Sequence, residues 1–267
     1  MKFLHDITLG QYLPGDSFLH RLDPRTKLIT LLLLMILTFL LKIFTALALL
    51  WAFFFMALVL SRLPWGYVFR GVQSFLWLFL FTAIAHFFFT PGPSLPPFPL
   101  GWINVTWTGL AKGGFVAAQL FLVILISSLM TLTTSPLQLA YGLEKLIAPL
   151  KIFRVPVEDF SMMTVLAIRF IPILVEETHR IIQAQASRGV DFESGNFIQR
   201  ARNLVPILTP LFHSVFKRAD DLAIAMLARG YVRGARRTHM HELKMSPKDY
   251  WVLAAVGGFM IFEIQMS

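Results

Sequence analysis

From Leu28 to Leu60 the chain carries one charged side chain, Lys42. Drawn as a single helix, this run would extend about 50 Å at roughly 1.5 Å per residue. A hydrocarbon core is only about 30 Å thick. The run therefore reads as two membrane spans, residues 26–41 and 43–61, joined by a tight hairpin at Lys42. The first span is short, and Lys27 and Lys42 can complete its ends by extending their ammonium groups to the interface. Hydrophobic residues make up 56% of the whole chain, against about 45–50% in soluble domains, so the membrane reading extends beyond this one run.

Arg62, Pro64 and Arg70 mark the next turn, and a third span is expected over Phe69–Phe89. Residues 90–107 hold five prolines and no charge. No helix is expected there, and the aromatic residues suit a membrane interface. A fourth span is expected over Gly109–Leu132. From Thr133 to about Lys248 charged residues recur at helical periodicity, and the apolar run Tyr250–Ile264 supplies a fifth span. The first residues contain no apolar h-region and no small-residue cleavage site, so no cleavable signal peptide is expected.

Lys and Arg give the chain a net charge of +9, and their placement orients it. With the N-terminus in the cytoplasm, 22 of the 24 Lys and Arg fall on the cytoplasmic side, leaving Lys42 and Lys112 outside. The positive-inside rule selects that topology. The expected fold class is an all-α integral membrane protein with about five transmembrane helices and a cytoplasmic region of about three helices, two of them long. The expected organisation is 1–134 for the N-terminal segment and spans 1–4, 135–247 for the cytoplasmic helices, and 248–267 for the last span. The chain belongs in the cell membrane, with its N-terminus and helical region cytoplasmic.

The first cytoplasmic helix follows Ser135-Pro136, a capping residue and a proline at the first helical position. The second opens at Pro156, with Glu158 and Asp159 in the first turn where the macrodipole favours anions. Phe160, Met163, Ala167, Phe170, Ile171 and Leu174 continue it at helical spacing, and Pro172 is expected to kink it. The third begins near Asn196, carries Leu204, Ile207, Leu211 and Val215, and bends at Pro206 and Pro210. Both long helices close in the same way, with a small or neutral residue, an arginine and a glycine: Ala186-Ser187-Arg188-Gly189 and Ala228-Arg229-Gly230. Glycine just past a helix permits the left-handed cap. A cation in a last turn complements the macrodipole, which is the ordinary explanation of one such ending. Two of them on consecutive rods of about 30 residues, each roughly 45 Å long, also suit docking into carboxylate-lined pockets, which guanidinium geometry favours.

Other signals are weaker. No Gly-x-x-x-x-Gly-Lys-Ser/Thr phosphate loop occurs, so this chain is not expected to hydrolyse ATP by that route. The absence of cysteine excludes disulfides and thiolate metal sites. His239-Met-His241-Glu242 lacks metalloprotease spacing and reads as solvated histidines. His86 stands as the ionisable side chain inside a predicted span, with no carboxylate in any span core to partner it. The basic residues Arg229, Arg233, Arg236 and Arg237 lie between a helix end and a span. Anionic lipid suits them better than nucleic acid. The alternative reading, a membrane-embedded enzyme acting on lipid-linked substrates, would draw on Glu176, Glu177 and His179. Those positions do not cluster on one helix face.

The chain resembles the transmembrane T component of energy-coupling factor (ECF) transporters, the family that includes the cobalt-transport Q proteins. The resemblance rests on Asp23-Pro-Arg-Thr-Lys-Leu28, Leu132-Thr-Thr-Ser-Pro-Leu137, Arg169-Phe-Ile-Pro172 and the two arginine signatures, in this order along nearly the whole chain. It implies a non-catalytic subunit of an ATP-driven importer of vitamins or metal ions. The long helices would be coupling helices, and Ala186, Ser187, Arg188, Gly189, Ala228, Arg229 and Gly230 would dock two ABC-type ATPase subunits. It implies a further membrane partner, the substrate-binding S component. It implies no cofactor on this chain, ATP being bound by the partner subunits. Ser187 departs from the small apolar residue that often precedes the arginine in relatives.

Overall fold

The computed structural model describes the chain except for residues 1–11, 92–105, 154–155, 191, 193–195, 233–244 and 267. Most of the proline-rich connection, the run Arg233 to Arg237, and His239, His241 and Glu242 lie outside the described residues. The described residues form nine α-helices and one 3₁₀ turn. They fall into two compact units, one of residues 10–143 with 243–267 and one built on residues 144–242.

In the first unit, α1 (Pro24–Leu40) begins as its sequence dictates. The Asp23 side chain accepts a hydrogen bond from Arg25 N–H, and Pro24 occupies the first helical position. The helix ends before Lys42, and α2 (Phe44–Ser61) follows, so the break in the long apolar run falls where the single charge predicts. Next comes α3 (Trp65–Gln73), then α4 (Leu76–Phe89). The single span expected over 69–89 is broken, with the two helices meeting at 58°. The cause is the polar stretch Gln73-Ser74 between unlike helices. α3 is amphipathic and buries only Val68 and Val72, whereas α4 is apolar on all sides. The chain tightens at the join, where Phe75 N–H donates to the Val72 carbonyl at 2.8 Å.

α5 (Trp107–Thr133) is the longest helix of this unit, at 27 residues. Two glycines let α4 lie close against it. A Cβ on Gly109 would stand 2.7 Å from the His86 carbonyl oxygen, and one on Gly113 would stand 3.0 Å from that of Ala83. α5 runs antiparallel to α1 and is tied to it at both ends. At one end Lys27 Nζ donates to the Thr133 carbonyl at 3.0 Å and to Thr134 Oγ1 at 3.2 Å. At the other, buried Gln119 donates to the Thr38 and Leu41 carbonyls at 2.7 and 3.1 Å. Those carbonyls are among the orphan acceptors every helix C-terminus leaves. The last helix, α9 (Pro247–Met266), packs along α1. Its N-terminal Asp249 accepts from Asp23 N–H at 2.8 Å and from Ser246 N–H and Oγ at 2.7 and 2.8 Å. Leu37, Leu50, Leu58, Leu122 and Leu125 are fully enclosed between these helices.

By length and composition α2 and α5 each suffice to cross a membrane, and the bent α3–α4 pair is a third candidate. α1 has 17 residues, and α9 carries Lys248, Asp249 and Glu263 within its 20. Glu263 lies near the C-terminal end of α9. It is fully buried, and neither of its carboxylate oxygens has a hydrogen-bond partner among the described residues.

The second unit follows α6 (Pro136–Ile147), whose start is held by a reciprocal pair: Gln138 N–H donates to Ser135 Oγ, and Ser135 N–H donates to Gln138 Oε1. A 3₁₀ turn, Ala148–Phe153, leads into α7 (Val157–Ser187), which is 31 residues long. Ser161 on α7 hydrogen-bonds the buried carboxylate of Glu144. α8 (Phe197–Ala228) has 32 residues and packs on α7. Pro172, Pro206 and Pro210 lie inside these helices without ending them.

Candidate functional site

α7 closes in a two-bond cap. Gly189 N–H donates to the Ala186 carbonyl at 3.0 Å, and Val190 N–H reaches back to the Gln185 carbonyl at 3.1 Å. This is the Schellman arrangement, which satisfies carbonyls that the helix itself leaves open. It requires the left-handed conformation one residue past the cap, and Gly189 adopts it, with φ +88°. Arg188 is the cap residue, at φ −87° and ψ 5°.

α8 ends in the same geometry. Gly230 N–H donates to the Leu227 carbonyl and Tyr231 N–H to the Met226 carbonyl, both at 3.0 Å. Gly230 has φ +74°, and Arg229 is the cap, at φ −90° and ψ 10°. The two arginines are thus presented on nearly superposable backbones. Ala186, Ser187, Arg188, Gly189, Ala228, Arg229 and Gly230 are all exposed. Neither guanidinium has a carboxylate partner among the described residues. Open space surrounds both glycines, since a Cβ on either would meet nothing within 4 Å. Ser187, the departure from the usual pattern, turns its hydroxyl back onto the Gln183 carbonyl at 3.0 Å, so it adds no free polar group to the tip.

α7 and α8 are fastened where they touch. Arg218 Nη2 donates to Glu177 Oε2 at 3.1 Å, and Ser214 Oγ donates to Glu177 Oε1 at 3.4 Å. Arg188 lies eleven residues beyond Glu177, and Arg229 eleven residues beyond Arg218. Each arginine therefore ends an arm of about 16 Å measured from the same fastening point. The arrangement is a pair of equal levers with a cation at each tip.

This fastening is what inspection of the sequence alone passed over. Glu177 stands there only as a candidate enzymatic carboxylate. The structure uses it to hold α8, while Glu176 faces solvent. The signal existed in the equal spacing of Glu177 and Arg218 from the two Arg-Gly ends, but nothing local pairs residues forty-one apart. No group of three or more His, Asp or Glu suited to a metal occurs among the described residues. His86 Nδ1 sits 3.3 Å from Thr90 Oγ1, a local contact at the end of α4.

Comparison with known proteins supplies the context. A family model described as cobalt transport protein matches residues 15–240. Among similar chains, an energy-coupling factor transporter transmembrane protein of Heliobacterium modesticaldum is 49% identical over 259 residues, 97% of this chain and 96% of that one. A protein of the same description from Brevibacillus brevis is 44% identical over 261 residues, 98% of each chain. Another from Bacillus subtilis is 41% identical over 254 residues, 95% of each.

Proposed function

Because this chain belongs to the family of energy-coupling factor transporter transmembrane proteins, we propose that it is the coupling subunit of an ATP-driven importer, joining two ATPase subunits to a separate substrate-binding S component. The observation that carries this reading is the pair of identically capped, exposed arginines at the ends of two fastened helices. Arg188 docks one ATPase and Arg229 the other, with the neighbouring small residues and glycines giving the pocket wall access to the guanidinium. A charge-assisted bond of this kind contributes about 1.5–3 kcal/mol net, and the planar fork adds directional selectivity that a lysine would lack.

The mechanism is mechanical. ATP binding on the partner subunits draws them together and carries the two helix tips with them. With an arm of about 16 Å, a rotation of about 10° about the Glu177–Arg218 crossing shifts a tip by about 3 Å. That motion passes through α7 and α8 to the S component, which alternates between capture and release of a vitamin or metal ion. The gathering of Lys and Arg in residues 1–27, at Arg62 and Arg70, and in residues 133–248 supports a cytoplasmic side for the N-terminus and the coupling helices, where ATP is available. Chemistry on a substrate is not part of this role. Of Glu176, Glu177 and His179, the residues an enzymatic alternative would draw on, Glu177 is engaged by Arg218 and Ser214.

The test is co-purification with candidate ATPase subunits and ATP-driven uptake into proteoliposomes. Arg188→Ala combined with Arg229→Ala is expected to abolish both while the chain still inserts in the membrane. Each single change should weaken docking at one site. Uptake at the unmodified rate in the double variant would remove the role given to the arginines.

A further inference from the structure

α5 ends differently from the two coupling helices. α7 and α8 close on their own backbone through a glycine cap, which holds whatever surrounds it. Thr134, the cap of α5, is extended instead, and the last carbonyls of that helix find their donors elsewhere. Leu13 N–H donates to the Leu132 carbonyl at 3.0 Å. Lys27 Nζ donates to the Thr133 carbonyl at 3.0 Å and to Thr134 Oγ1 at 3.2 Å. Consecutive residues at the exit of α5 are thus held by the segment that leads into α1. We propose that Lys27 is a positioning residue for coupling, locking the α5–α6 joint to α1 so that the root of the coupling region stays fixed while the arms beyond it move. The inference rests on the coupling role proposed above.

The bonds close into a ring. The Leu13 carbonyl faces His20 Nε2 at 3.0 Å, and since a carbonyl can only accept, that nitrogen carries the proton. In the neutral ring Nδ1 then accepts from Ser17 Oγ at 2.6 Å. The His20 carbonyl accepts from Lys27 Nζ at 3.4 Å. From Leu132 the path runs through Leu13, His20 and Lys27 and returns at Thr133. Lys27 joins its two sides. An ammonium has three donors, and this one faces three acceptors, so no donor is left over for an outside ligand. Capping alone would need only a glycine, as at α7 and α8. Donors borrowed from a distant segment add a fixed position.

α6 is held at a second point. A Cβ on Gly142 would lie 2.9 Å from Pro24 Cβ and 3.3 Å from Leu28 Cδ1, so α6 rests directly on the first turn of α1. Pro24, Lys27 and Leu28 stand at positions i, i+3 and i+4 and share one face of that turn. The same short face therefore grips the end of α5 and the middle of α6. A joint fixed at two points cannot swivel about either. Force arriving along α6 passes to α1 instead of being lost in bending at Thr134 and Ser135.

The chain contains no cysteine, so spin labels can be placed at Phe39→Cys in α1 and Leu137→Cys in α6, both exposed positions. In the full-length chain in lipid nanodiscs, double electron–electron resonance should give a single narrow distance. Lys27→Met removes all three bonds and should add a second, broad population, a shift between closed and open joint of roughly tenfold. Thr134→Val removes one acceptor at nearly constant shape and should broaden the distribution less. In the complete transporter, Lys27→Met should leave ATP hydrolysis running while uptake per ATP falls roughly fivefold. A purely structural loss would lower both together by lowering the amount of complex. Circular dichroism checks folding, and if Lys27→Met does not fold, Thr134→Val decides alone. A single narrow distance in the folded variants, or an unchanged ratio of uptake to hydrolysis, overturns this inference alone. Absence of ATP-driven uptake by the unmodified complex overturns it together with the coupling role.

Discussion

Gly189→Ala isolates the contribution of backbone conformation to the α7 tip. At φ +88° a residue with a Cβ strains against its own carbonyl, which costs about 1–2 kcal/mol. No steric cost is added, because a Cβ there meets nothing within 4 Å. The strain opposes the cap in which Gly189 and Val190 bond the Ala186 and Gln185 carbonyls, and so opposes the presentation of Arg188. If docking requires the capped form, the apparent affinity falls in proportion to the population lost, up to about 5- to 30-fold for that energy. Gly189→Asn is the control, since asparagine tolerates the left-handed region far better. Titration of each variant with isolated ATPase subunits, by microscale thermophoresis in detergent, should rank unmodified chain, Asn variant and Ala variant in decreasing affinity. Equal affinity for all three would show that the cap conformation is irrelevant to docking. Equal loss in Asn and Ala variants would mean that the partner excludes any side chain at this position, a steric requirement instead of a conformational one. Gly230, at φ +74° in equally open space, should repeat the ranking at the other tip.

The Glu177–Arg218 fastening predicts a charge-swap rescue. Glu177→Arg or Arg218→Glu should each weaken assembly with the ATPases, and the two together should restore it. The pair is partly exposed, at 22% and 41%, so a coupling of only about 0.5–1 kcal/mol is expected; strict additivity of the two losses would remove the fastening role. Asp249, just ahead of the last apolar run, gives a pH dependence. Burial raises its carboxyl, but hydrogen bonds from Asp23 N–H and from Ser246 more than offset this and hold it below its ordinary value. A depressed carboxylate stabilises the fold above its unfolded value of about 3.9 and loses that contribution as pH falls through the lower folded value. Asp249→Asn should therefore lower thermal stability at pH 7, with a difference that shrinks as pH approaches 3. A difference that did not change with pH would show that the charge is not what stabilises α1 against α9.

Much of this architecture is local in origin, and local features are what a sequence displays. The helix start at Asp23-Pro24 and the reciprocal cap of Ser135 and Gln138 depend on residues at most three apart. The break in the first long apolar run at Lys42 is equally local, and both glycine caps join residues only three and five apart. The family resemblance could be read for the same reason, because its motifs are mostly such boundaries. The break between α3 and α4 was less legible, since an apolar run signals hydrophobicity without signalling direction. The turn at Gln73-Ser74 shows only once Val68 and Val72 are seen buried on one side of α3.

By itself the sequence determined the helical class, the membrane environment, the two arginine-tipped rods and the backbone conformation that ends each of them. All of these follow from side-chain polarity and from steric limits within a few residues. Tertiary structure alone decided which distant groups meet. Lys27 reaches Thr133, Gln119 reaches the end of α1, Glu177 holds Arg218, Thr30 is left without an acceptor, and Glu263 is enclosed. Those outcomes depend on how helices pack, and a packed neighbour far along the chain leaves no mark on the residues beside it.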